Sequence, residues 1–526
     1  MFYLSPGVYV REKDISNIIP NVATTIAAVV GYSAKGSLDI KLITTGQEWI
    51  EEYGQPVPGE YMGYSALAYL EKGNKLYAKR VVNGALYGGV LIMSDGHSNE
   101  SMTVGVSTPS FQAISGKDIL FYVFGKDPGI WNNDLGIRIT NIQAADYEFD
   151  IEVYQKDSDG NYQQVESWTV SRKVKTDGFG NQEYLETRIN GFSKYIVVAD
   201  DTSQADTVMP AAQPTTLACA AGSNGSAIND SHVVTGWGYF ANPDEIDINI
   251  LINAGYTGVT VQQAMKTLAE GRKDCVAILD VPYAQLSSVT STSTWRTVTQ
   301  NFNSSYCALY APWVKIYDPY NDKTIVVPPS GYVAAQIAYN DYVGETWTAP
   351  AGWNRGLLNV LAVDPLKYTQ GNRDTLALVQ VNCIRQQPGR GVAIWDQLTE
   401  QAKKSALQDL NVRRLLITLE KAIAASLDFF AFELNNTATR FRITGVCEMY
   451  LDQLSSRGAF QTELNDRGYR VVCDTTNNTP LVIDQNELHV DIFLKPARVA
   501  KFIQLQAIIT QTGVSFDELI ANGTLL

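Results

Sequence analysis

The sequence predicts a multi-domain protein of α+β and α/β class, with mixed-sheet core domains, an inserted β-rich domain and a strand-forming arm at each end. Three observations predict it. The chain has 526 residues, more than one hydrophobic core supports, so two to four domains are expected. Apolar strands alternate with helices over 21–90 and again over 231–380, the mark of an α/β layer. Over 91–215 helix periodicity is absent, and short β runs punctuated by turns take its place.

Ser5-Pro6-Gly7 is a turn signal, and after it Val8 and Val10 alternate with Tyr9 and Arg11, a short strand within an arm over 1–20. Val22 to Tyr32 reads as a buried strand. Thr45-Gly46-Gln47-Glu48 has the spacing of a capping box and opens a helix that Gly54 closes. A helix from Tyr61 to Glu71 and a strand from Leu76 to Val82 follow. In the inserted region Phe149 to Tyr154, the turn Asp157-Ser158-Asp159-Gly160 and Val165 to Val170 form a hairpin pattern. Asp200 to Asp230 is poor in large apolar residues and reads as a flexible connector, with 216–230 as the linker out of the insertion. Strands at Ile246 to Ile252, Cys275 to Val281 and Cys307 to Tyr317 then alternate with helices at Val261 to Glu270, Trp295 to Phe302 and Gly331 to Tyr339.

A last domain is expected over 381–498. Val412, Leu415, Leu416, Leu419, Ile423, Leu427 and Phe430 mark the apolar face of a long helix. Leu488, Val490, Ile492 and Leu494 alternate with His489, Asp491 and Phe493, as in a half-buried strand. In a C-terminal arm over 499–526, Ile503, Leu505, Ala507 and Ile509 alternate with Gln504, Gln506 and Ile508, and Ser515-Phe516-Asp517-Glu518 is a second capping box. Two strands so near a chain end leave an edge that recruits another chain.

Composition excludes several classes of function. The net charge is −14. From Val381 onward 15 Lys and Arg face 16 Asp and Glu, so the first 380 residues carry −13 of it. No basic surface suits nucleic acid. The six cysteines stand apart with no C-x-x-C, as expected for buried thiols in a reducing compartment. MFYLSPG is not a secretory signal and no apolar run reaches membrane-spanning length. A catalytic site is not expected, nor a metal or cofactor. There is no phosphate-binding G-x-x-x-x-G-K-[ST] and no G-x-S-x-G, and His97, His232 and His489 are too scattered for H-E-x-x-H. Trp131 and Trp395 read as core anchors, and Arg440 and Arg442 as braces toward Asp428 or Glu433.

Several blocks, taken in order, carry a family resemblance. They are LSPGVYVREKDIS and GQEWIEEYGQP near the start, GIWNNDLGIRI from Gly129 to Ile139, and a nearly continuous run from Val381 to Leu519. That run includes PGRGVAIWD, NVRRLLITLEKAI, FELNNTATRFR, YLDQL with Gly458-Ala459 after it, and VVCDTTNNTPLVID. The set resembles the tail sheath proteins of contractile-tailed bacteriophages, the T-even-like myoviruses in particular. The resemblance implies a non-enzymatic virion protein assembled in the host cytoplasm. It implies hexameric rings stacked around a tail tube, with baseplate and terminator proteins as further partners. It also implies an inserted domain facing outward, a C-terminal domain facing the tube, and arms exchanged between neighbours. On contraction such a sheath drives the tube through the host envelope.

For strand exchange the candidates are Val8, Tyr9 and Val10 on one arm, and Phe502, Ile503, Leu505, Ala507 and Ile509 on the other. For contact with the tube they are Lys403 and Lys404 before the long helix and Arg413 and Arg414 off its apolar stripe, with Lys421 one turn on. Three other readings compete: a sheath subunit of a phage-tail-like bacteriocin or another contractile injection system, a non-contractile capsid or baseplate protein, and a cryptic α/β hydrolase.

Overall fold

The computed structural model describes residues 25–98, 109–114, 117–176, 178–464 and 466–501. Val8, Tyr9 and Val10, and Phe502 through Ile509, lie outside the described residues, as does the second capping box.

A central sheet organises the molecule. Among the described residues it has nine strands, in the order Leu357–Leu358, Gly391–Ile394, Val381–Gln387, Cys307–Ala311, Val276–Asp280, Ile250–Ile252, Ala27–Gly31, Leu76–Arg80 and Lys41–Ile43. The six from Val381–Gln387 to Leu76–Arg80 pair in parallel, and antiparallel strands finish both edges. Parallel strands joined by helices are buried on both faces, which is why CVAIL and AAVVG carry no polar side chain. Alternation sends Ala27, Val29, Ile250, Ile252, Val276 and Ile278 to one core, and Ala28, Val30, Leu251, Ala277 and Leu279 to the other. The Gly46–Tyr53 helix starts as expected: Thr45 accepts from the Glu48 N–H, and the Glu48 carboxylate accepts from Thr44. Gly54 closes it with a φ of 80°.

Three segments depart from the sequence reading. Cys307 to Tyr317 is not one strand: Pro312 divides Cys307–Ala311 from Trp313–Asp318, which pairs with Lys323–Val327 and Ala362–Asp364 in a separate sheet. Val381 does not open a new domain, because Val381–Gln387 pairs in parallel with Cys307–Ala311 inside the central sheet. Asp200 to Asp230 is not a connector. Ile196–Asp200 and Gln213–Ala218 are strands, and buried Arg172 donates to the Asp200 carboxylate and to the carbonyls of Asp201, Ala205 and Val208. One guanidinium thus satisfies a stretch too poor in apolar side chains to pin itself.

Among the described residues the insertion has two four-stranded sheets, and its main core holds Ile92, Phe121, Val123, Ile137, Phe149, Ile151 and Val198. Entering and leaving chain segments run side by side, bridged at Asn83–Gly225, Leu86–Ser223 and Gly89–Ala220. That junction lies outside the 91 and 215 read from the sequence.

Glu400 is buried beneath the central sheet with no hydrogen-bond donor to either carboxylate oxygen, and the Arg296 Nε stops 3.6 Å away. Burial pushes its carboxyl up to about 7, with Arg296 drawing it back. A pKa raised on folding contributes stability that is present below the ordinary 4.5 and lost as pH rises through about 7. Glu400→Gln is therefore expected to raise the melting temperature at pH 8 and leave it nearly unchanged at pH 5. An equal shift at both pH values in thermal melts would contradict a titrating Glu400.

Candidate assembly surfaces

The C-terminal part of the described chain holds the Leu410–Leu427 and Thr437–Ser456 helices and a two-stranded sheet of Tyr469–Val472 with Asp491–Leu494. The long helix belongs to two cores at once. Leu410 and Ile417 pack into a central-sheet core, while Leu415, Leu419, Ala422 and Ile423 pack into the C-terminal one. Its apolar surface is therefore wider than a single stripe.

That second face corrects the reading of Arg413 and Arg414 as tube contacts. Both are buried. Arg414 forms a two-pronged ion pair with Asp341 of the Ser330–Val343 helix, the two side chains being 5% and 4% exposed. Arg413 stacks on Tyr306 at 4.3 Å and donates to Glu420 at 3.1 Å. Lys421 pairs with Asp247. A second tie between the two regions joins Arg457 to Glu345. Lys403 and Lys404 are exposed in the loop before the helix, where the sequence reading put them. The expected braces differ as well: Arg440 is buried beside Cys473 and Asp474, and Arg442 lies 5.4 Å from the Phe430 ring.

The small sheet shows the expected alternation. Leu488, Val490, Ile492 and Leu494 pack on the C-terminal core, while Phe493 opposite Arg470 points away from it. The VVCDTTNNTPLVID block locks the connection between its strands. Asn478 accepts from the His489 N–H at 2.8 Å and donates back to its carbonyl at 2.9 Å, and Asn477 donates to the Val472 carbonyl and the Asp491 carboxylate. Two strands alone are marginal in water. These two are held by the helix beneath, yet among the described residues neither outer edge carries a further strand. Edge strands of this kind present backbone donors and acceptors to which a further strand can add.

An apolar loop stands out nearby. Phe429, Phe432 and Leu434 are exposed between the two long helices, with Phe441 exposed one turn into the second. Phe432 is fully exposed in left-handed backbone (φ 66°), an unfavourable state for an aromatic residue. Trp395 is half-buried against Trp353 rather than in the core, whereas Trp131 packs on the core of the insertion. Among the described residues no three His, Cys, Asp or Glu side chains gather to hold a metal, and no helix is long and apolar enough to cross a membrane. The six cysteines are buried and unpaired.

Comparison with known proteins points to one family. The phage tail sheath protein central domain matches residues 239–399, the stretch that supplies most of the central sheet. Over that stretch the chain is similar to phage tail sheath proteins. Among sheath relatives, the tail sheath protein of Enterobacteria phage T4 is 32% identical over 317 residues, 56% of this chain and 47% of its own. The chain thus spans about half the length of the curated sheath relatives it matches. The sheath fold extends further. A sheath tail protein from Listeria innocua superimposes with a TM-score of 0.58 at 10% identity, over 90% of this chain and 96% of that one. The sheath of an extracellular contractile injection system in its contracted state gives 0.55 at 16%, over 98% and 99%.

Proposed function

We propose that the protein is the structural subunit of a contractile tail sheath. It polymerises as stacked hexameric rings around a tail tube, and contraction drives the tube through a host envelope. It works in the virion tail, assembles in the host cytoplasm, and meets baseplate and tail terminator proteins at the ends of the stack. No catalytic step is assigned to it. The observation that carries this reading is the two-stranded sheet of Tyr469–Val472 and Asp491–Leu494, which among the described residues has no further strand on either edge and sits on a firmly packed base.

Those edges are the acceptors for the arms of neighbouring copies, Val8 to Val10 from one side and Phe502 to Ile509 from the other. Added strands bind through main-chain hydrogen bonds, each worth about 1 kcal/mol net. One joint holds modestly, and a lattice of them is continuous. The arms swing while their pairing persists, so cohesion survives a change of helical geometry. The inserted domain faces outward and the C-terminal domain inward. The likeness to a contracted injection-system sheath leaves the mechanics unchanged for a phage-tail-like particle, and the neighbouring genes distinguish the two. Purified protein viewed by negative-stain microscopy is expected to form tubes of the contracted form, while monomers alone at high concentration would contradict the reading.

Of the basic residues, Lys403 and Lys404 remain as tube contacts. Exposed ion pairs contribute under about 1 kcal/mol each, a scale suited to contacts that part together on firing. Lys403→Glu with Lys404→Glu is expected to lower co-sedimentation with tube protein and leave sheath polymers intact. Unchanged co-sedimentation would remove the assignment.

A further inference from the structure

The PGRGVAIWD block forms the turn and second strand of the hairpin between Val381–Gln387 and Gly391–Ile394, near one edge of the central sheet. This hairpin carries a cluster that the assembly reading does not use. The Trp353 and Trp395 rings lie 5.5 Å apart. The Arg385 guanidinium sits 4.2 Å from the Trp395 ring and 5.7 Å from Trp353, and Arg390 lies 5.8 Å from Trp353. Among the described residues neither arginine forms an ion pair, although other arginines of this acidic chain do. Burial and two neighbouring cations, Arg373 and Arg390, lower the pKa of Arg385. A guanidinium stacked on indole keeps its N–H fork for a carboxylate. Here two stacked forks have none.

The chain supplies a matching segment. Lys501, the last described residue, pairs with Asp409 at 2.5 Å and approaches Asp396 at 3.8 Å. Asp396 follows Trp395 directly, so Lys501 lies beside the cluster. Residues 502–526 contain two charged side chains, Asp517 and Glu518, adjacent and both acidic, flanked by Phe516 and Leu519. The sixteen residues after Lys501, through Asp517, reach up to about 53 Å when extended.

We propose that Asp517 and Glu518 of an adjoining copy dock on Arg385 and Arg390, with Phe516 and Leu519 against the Trp353–Trp395 pair. This rests on the arm exchange above, which places residues 502–509 on a neighbour. The contact seals the end of the exchanged arm by charge and aromatic packing, after main-chain pairing has positioned it.

Charge exchange in the full-length chain tests it. Arg385→Glu with Arg390→Glu, and separately Asp517→Lys with Glu518→Lys, are each expected to raise the critical concentration for tube formation about tenfold, the effect of losing one charge-assisted contact. All four together are expected to return it to within about twofold of the parent. A fourfold variant no better than its worse parent, or either pair without effect, overturns the proposal while leaving the sheath reading intact. An unmutated chain that forms no tubes sinks both. If the Arg385→Glu, Arg390→Glu chain melts early, Arg385→Gln and Arg390→Gln against Asp517→Asn and Glu518→Gln replace it. Docking then predicts a combined loss no larger than either alone, and additive losses overturn it.

Discussion

A chain cut after Lys501 is expected to fold, melt cooperatively and remain monomeric at concentrations where the full chain builds tubes. The described cores draw on residues between Ile26 and Leu494, all of which the shortened chain keeps. What the deletion removes is the strand Phe502 to Ile509, the donor for a neighbour's open sheet edge. The strand-exchange reading makes the loss complete rather than partial. Light scattering and electron microscopy check assembly, and circular dichroism checks the fold. Ordered tubes from the truncated chain would show that residues 502–509 are not needed for cohesion.

The second large effect is on stability. Arg414→Ala leaves the Asp341 carboxylate 4% exposed with its cation gone. Breaking one side of a buried pair costs about 3–5 kcal/mol. Arg414→Met with Asp341→Leu replaces both charges by apolar groups of similar size and is expected to recover most of that loss. Urea unfolding measures both. An Arg414→Ala chain as stable as the parent would mean that the pair is open to water, as the sequence reading had it. The pair also bears on mechanism. It joins the Ser330–Val343 helix to a long helix already shared by two cores, so the central and C-terminal regions are tied by packing and by charge.

How much of this was legible in the sequence depended on how local each signal was. The Thr45 cap, the largely apolar run CVAILDV and the alternation from Leu488 to Leu494 are decided within a few residues; the first two elements formed where they were expected, and the third as a shorter strand, Asp491–Leu494, with the expected inward face. Val381–Gln387 was assigned to the wrong domain because its partner Cys307–Ala311 lies some seventy residues earlier, and pairing across that distance leaves no local trace. Arg413 and Arg414 were placed on an open face because one apolar stripe was visible, and the second core that covers them comes from remote segments. The stretch after Asp200 looked unstructured because its anchor is Arg172, a polar residue outside it. The packing of Trp395 on Trp353 likewise joins residues some forty positions apart. The family blocks, by contrast, gave the sheath assignment before any coordinates, and the central-domain match over 239–399 fell mostly where few of those blocks lie.

Strand exchange is tested most directly by tracing the polymer itself at near-atomic resolution by electron cryo-microscopy. The prediction is backbone density for Val8 to Val10 and Phe502 to Ile509 hydrogen-bonded to Tyr469–Val472 or Asp491–Leu494 of other copies. Both tails folded onto their own subunit, with the small sheet still two-stranded in the tube, would contradict it.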